Sequence, residues 1–302
     1  MRDTHEQHIT LSNTHSKEQI FFIMHPSYPQ SGHLTRKTLQ VFLKSATIRG
    51  KKQGVMMRKI EVCCGSLEEA QAAEAGGAIR IELCAAISCG GVTPSHGTIQ
   101  SIAEAGLKLD VNVLIRAREG GFCYTETEIE TMCKDIEFCR NMGVHGVVIG
   151  ALTATGDIDM KACRKMITAA GNMSVTFHRA FDICTNPHQA LEQIIELGCT
   201  RLLTSGQEET AERGAPLIIE LIKQAAGRII IMPGAGIKPA NIINVEKLTA
   251  ATEYHSTAAS DYADSAYCGH AVSFTTYPQR PGIIRHSAQE VVEQLVHLPA
   301  AD

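Results

Sequence analysis

Eight short β-rich runs recur along the chain, each separated from the next by room for one helix. They are "KIEVCC" (59–64), "IRIELCA" (79–85), "LDVNVLIR" (109–116), "GVVIGAL" (146–152), "SVTFHRAF" (174–181), "RLLTS" (201–205), "RIIIM" (228–232) and "TEYHST" (252–257). Strands that alternate with helices pair in parallel, because each crossover returns the chain to the same end of the sheet. Eight such units in about 245 residues predict a (β/α)8 TIM barrel of the α/β class. The rival is a doubly wound open sheet. It usually has six or seven strands, and no strand–GxGxxG–helix unit supports it here.

The helices between the runs carry readable start and stop signals. Ser66 with Glu69 and Thr125 with Glu128 fit the capping box. Asn186–Pro187 and Thr93–Pro94 place a cap before a proline in the first turn. Gly76–Gly77, Gly106, Gly143 and Gly198 fall where helices should stop. Residues 1–55 read differently. They hold five histidines, eight Lys/Arg against three Asp/Glu and no sustained periodicity, although "TLQVFLKSA" (38–46) has the pattern of a short amphipathic helix. They are expected to be an irregular extension, or translated sequence upstream of a start at Met56 or Met57, with the barrel occupying 56–302.

Alternation along the strands sorts their side chains by face. Glu61 and Cys63 share one face of the first run, opposite Ile60, Val62 and Cys64. Glu82 and Cys84 align in the second, Asn112, Leu114 and Arg116 in the third, Thr176 and His178 in the fifth, and Glu253 and His255 in the eighth. The outward face of a barrel strand meets helices and must be apolar, so the polar set points inward and towards the C-terminal rim, where barrels carry their chemistry. Glu61, Glu82, His178 and Asp182 are therefore candidate acid–base groups. Arg116, Arg118, Arg179, Ser205, His255 and Ser256 are candidates to hold an anionic substrate. "IMPGAGIKPANI" (231–242) reads as a glycine turn leading into a helix. Gly234 and Gly236 there would expose N–H groups to a phosphate or carboxylate. The bland alternative pairs Glu61 and Glu82 with Arg116 or Arg179 in structural salt bridges.

The 28 Lys/Arg against 32 Asp/Glu leave a formal charge of −4, which gives no electrostatic reason to bind nucleic acid or an anionic membrane. No apolar run approaches the roughly 18 residues of a membrane span. Eleven cysteines, odd in number and irregularly spaced, argue for reduced thiols rather than a disulfide framework. Cys63 and Cys84, inward on neighbouring strands, are near enough to be co-ligands of a soft metal such as copper(I). Cys64 faces the helices, so the adjacent "CC" is no chelating pair.

In order along the chain, "IEVCC", "RIELCAA", "GGVTPS" (90–95), "IRAREGGFCYT" (115–125), "VTFHRAFD", "LTSGQ", "GAG" and "HST" resemble the CutC family, usually named copper homeostasis proteins. The resemblance implies a TIM barrel, cytoplasmic location, homo-oligomers (a homodimer or larger) and a copper ion bound through cysteines. This chain departs from the family pattern at "RAREGGF" (116–122), which lacks an aspartate near Gly121, and at Thr257, where a second serine is usual. Two functions are thus in view: copper binding, or an isomerase, lyase or hydrolase working on a small anionic or phosphorylated molecule.

Overall fold

A computed structural model of the chain describes residues 57–263, 265 and 283–298. The expected extension at 1–55 and its amphipathic segment at 38–46 lie outside the described residues. Eight parallel strands follow one another: β1 (Lys59–Cys64), β2 (Arg80–Leu83), β3 (Asp110–Leu114), β4 (Gly146–Ile149), β5 (Ser174–Phe177), β6 (Arg201–Thr204), β7 (Ile230–Pro233) and β8 (Glu253–Ser256). From β1 to β7 consecutive strands hydrogen-bond to one another, and β1 also pairs with β8. The register places Glu61 beside His255 on one side and Arg80 on the other. No ladder joins β7 to β8, so the barrel is nearly closed. Seven helices cover it between strands: α1 (Leu67–Ala75), α2 (His96–Glu104), α3 (Glu126–Asn141), α4 (Met160–Ala170), α5 (Pro187–Glu196), α6 (Ala215–Ala225) and α7 (Ile242–Thr249). An antiparallel pair, β9 (Ala259–Ala263) and β10 (Ile283–Ser287), and a helix α8 (Gln289–His297) follow.

The inside–outside sorting expected from parity is what the burial shows. Ile60, Val62, Cys64, Ile81, Leu83, Val113, Val147, Phe177 and Leu202 form one core between sheet and helices. Inside the barrel, Cys63, Cys84, Leu114 and Val148 make a separate, much smaller cluster. The remaining interior is polar, and β4 makes room for it. A Cβ at Gly146 would stand 2.4 Å from Asn112 Oδ1, and one at Gly150 2.5 Å from the His178 ring. The absence of side chains there lets Asn112 and His178 lie across the strand.

Thr125 forms the complete capping box with Glu128, and Asn186 caps α5 ahead of Pro187. Replacing Thr125 with alanine should cost about 1 kcal/mol in urea unfolding. Ser66 accepts from Glu69 N–H, but the Glu69 carboxylate turns to Gly65 N–H instead. Thr93–Pro94 does not start a helix. Ser95 caps α2, while Thr93 Oγ1 bonds both backbone groups of Arg116. The fifth run also stops earlier than expected. His178 accepts from Ala180 N–H, and residues 179–183 turn into a 3-10 helix.

Candidate functional site

The centre of the barrel interior is a row of three ionisable side chains. His255 Nδ1 lies 2.9 Å from Glu61 Oε1, and its Nε2 lies 3.7 Å from Glu82 Oε2. Cys63 Sγ joins them: one ligand atom each from Cys63, Glu82 and His255 all fall within 4.8 Å of one another. Cys84 Sγ then sits 3.1 Å from Cys63 Sγ. Cys63, Glu82 and His255 come from three adjacent strands, β1, β2 and β8, with Cys84 just beyond the end of β2, and these four expose 1–8% of their surface.

Burial and the neighbouring charges together set their ionisation. Burial raises the Glu61 pKa, but the His255 hydrogen bond and the charges of His255, Arg80 and Arg201 outweigh it, leaving the carboxyl below its ordinary value. Burial lowers His255, yet the charges of Glu82 and Glu61 prevail and hold it above 6.5. Glu82 is raised because burial exceeds the pull of His255. The Cys63 thiol is pushed well above its usual value, first by its hydrogen bond with Cys84 and then by burial. The row is therefore a proton-holding unit beside a protonated thiol.

Towards the opposite end of the interior runs an ion network that sequence reading did not find. Glu253 Oε2 accepts from Arg80 Nη1 and Nη2, both at 2.9 Å, and from Arg201 Nε at 2.8 Å. Arg80 also reaches Glu61 at 3.4 Å, and Arg201 bonds Ser174 Oγ. The pairing of Glu61 with Arg116 or Arg179 is thus replaced by Arg80. The missed signal was simple: Arg80 shares the parity of Glu82 and Cys84.

At the rim the expected residues divide. Arg116, buried just beyond β3, donates to Gly91, Cys89 and Gly120 carbonyls. His178 is buried beyond β5. Asp182 is consumed within the rim: it accepts from Arg179 Nε, Thr204 Oγ1, Ser205 N–H and Oγ, and Gln207 N–H, tying the exit of β6 to the 3-10 turn. Arg179 also reaches Ser205 Oγ. Ser256 Oγ donates to Ile237 O and accepts from Ala258 N–H. Arg118 pairs with Glu128 at 2.6 Å, half-exposed over Tyr124.

The glycine turn differs most from expectation. Gly234 N–H bonds Thr204 O, and α7 starts only at Ile242, so no helix end follows the glycines directly. Space explains Gly234 instead, since a Cβ would meet Leu203 Cδ1 at 2.5 Å and His255 Cβ at 3.2 Å. Gly236 has φ +72°.

His178 has a second property. Burial and the nearby Arg116 charge lower its pKa from 6.5 to about 3, so it stays neutral in the fold. Between those values the unfolded chain binds the extra proton, and stability must fall as pH falls. From pH 6.5 to about pH 5 this group should remove about 2 kcal/mol. His178→Gln should flatten that part of a urea-unfolding pH profile; an unchanged slope would contradict it.

The geometry defines a class: a TIM barrel whose interior holds two thiols, an imidazole and two carboxylates at its strand ends. Comparison with known proteins then narrows it. The family model described as the CutC family matches residues 58–260. The CutC family protein of Parabacteroides distasonis is 54% identical over 205 residues, 68% of this chain and 84% of that protein. That of Bacteroides thetaiotaomicron is 48% identical over 216 residues, 71% of this chain and 87% of that protein. A crystal structure of CutC from Streptococcus agalactiae, carrying a copper-homeostasis name, superposes with a TM-score of 0.64 at 29% identity, covering 67% of this chain and 99% of that one. The chain belongs to the CutC family.

Proposed function

We propose that the chain binds copper(I) as cargo between Cys63 and Cys84, with His255 and Glu82 beside them. One observation carries this reading: two thiols on adjacent strands lie 3.1 Å apart, with an imidazole and a carboxylate close to Cys63. Soft thiolates select copper(I), and an accompanying imidazole suits the same metal. The near-complete burial of the four groups addresses an ion rather than the length of an organic substrate. Burial also protects such a pair in a reducing cytoplasm, where thiols stay free. All ten cysteines among the described residues are free, and no helix among them is long and apolar enough to cross a membrane.

Because the Cys63 thiol is protonated, binding must release a proton, and affinity should rise with pH. An anaerobic competition titration against a chromophoric copper(I) chelator tests the reading. One equivalent per chain, held more tightly at pH 8 than at pH 6, is expected. No transfer from the chelator would overturn it.

A second reading has the Glu61–His255–Glu82 row in its favour, since opposed pKa shifts in one cluster mark acid–base machinery. It makes the protein an enzyme of proton transfer on a small anion. Turnover lost in Glu82→Gln but kept in Cys63→Ser would favour it over copper.

A further inference from the structure

Arg116 is a buried cation with no anion beside it. Its exposure is 6%, and no carboxylate among the described residues pairs with it. Arg80, equally buried, has two. Three backbone carbonyls take the Nη1 and Nη2 donors of Arg116, with Gly91 O at 2.8 Å and Gly120 O at 2.6 Å among them. Carbonyl dipoles hold the guanidinium in place but leave its charge uncompensated, which is costly in an interior. Its Nε–H has no partner at all.

Two more buried polar atoms nearby are also unpartnered. His178 accepts from Ala180 N–H at Nδ1, so its neutral ring carries the proton on Nε2, and that donor is orphaned. Tyr124 Oη is the third. Phe122 gathers the set. The Arg116 guanidinium carbon lies 4.8 Å from its ring centroid, and the His178 ring 4.9 Å away on a tilted face. Arg116 acts on His178 through its charge and on Tyr124 through its charge and a loose side-chain contact that leaves the Tyr124 hydroxyl and Arg116 Nε without a well-formed hydrogen bond, so all three share one neighbourhood. Native interiors rarely leave three such groups unsatisfied together without something to fill the place.

We infer that the rim over β3 and β5 holds an anionic oxygen ligand, a carboxylate or phosphate group, bound by Arg116 Nε, His178 Nε2 and Tyr124 Oη. The donor set suits this chemistry. It combines one fixed positive charge with two neutral donors and no acceptor-only group, so a cation gains nothing there. Phe122 also lines a cavity of about 290 Å³, together with Arg118, Leu152, Gly156 and Ile183. Phe122 O accepts from Leu152 N–H at 2.9 Å, which fixes the backbone there. None of these residues is among the proposed copper ligands. The inference therefore stands or falls apart from the metal reading.

The experiment uses the full-length, metal-free protein at constant ionic strength. Inorganic phosphate and acetate are titrated separately by calorimetry, with chloride as the control. At least one should bind saturably at one site per chain, and the two arms tell phosphate from carboxylate. Tyr124→Phe, which removes only the hydroxyl, should weaken that binding about tenfold, as the loss of one hydrogen bond to a charged ligand does. Arg116→Gln should abolish it, with circular dichroism confirming the fold. Should Arg116→Gln not fold, the Tyr124→Phe and His178→Gln results decide alone. Saturable binding by neither anion, or binding unchanged in Tyr124→Phe and His178→Gln, overturns the inference.

Discussion

Serine at both Cys63 and Cys84 is expected to abolish tight copper(I) binding, a loss on the order of a thousandfold or more. Both sulfurs lie in the small interior cluster with Leu114 and Val148, away from the outer core, so the exchange leaves sheet–helix packing untouched. Each single serine should keep weak binding through the remaining sulfur with His255 and Glu82. Glu82→Gln alone should cost about tenfold, the usual scale for a group that supports rather than dominates a metal site. The measurement is copper(I) affinity by chelator competition, with thermal unfolding as the folding control. Undiminished stoichiometric binding in the double-serine protein would remove copper from the barrel interior.

The largest stability effect is expected at Glu253. Its carboxylate is the common acceptor for Arg80 and Arg201, and Arg80 is 2% exposed. Glu253→Gln keeps the shape and removes the charge, leaving Arg80 with only the longer contact to Glu61. Breaking one member of a buried ion pair costs about 3–5 kcal/mol, because the other charge remains without compensation. Urea unfolding at pH 7 should show that loss. Glu61 belongs to both this network and the His255 row, so the variant should also perturb the site above it. A change below about 1 kcal/mol would mean that water, not Glu253, solvates the two guanidinium groups.

Much of this was legible in the sequence, for one reason: strand periodicity is a geometric constant. Parity put Glu61, Cys63, Glu82, Cys84 and His255 inside and Cys64 outside, and their burial agrees. Eight runs with helical spacing gave the barrel, and the capping residues gave several helix starts. Loops carry no such period. Asp182, Ser256 and Gly234 read as functional because polar or glycine residues at strand ends often are. Here hydrogen bonds and close packing absorb them. Arg118 stands two residues from Arg116, yet one is half-exposed on Glu128 and the other buried under Phe122. Only the path of the loop separates them. The Arg80–Glu253–Arg201 network was hidden differently. Its arginines open their strands, where attention to rim chemistry does not look. The pair β9–β10 and helix α8 lack the regular spacing of the barrel units and were not anticipated.

The central claim is that Cys63 and Cys84 are ligands to one metal. X-ray absorption at the copper edge of the copper(I)-loaded protein tests it most directly. The copper reading predicts sulfur scatterers from two thiolates in the first shell, reduced to none in the double-serine protein. A first shell of nitrogen and oxygen alone in the unaltered protein would contradict it.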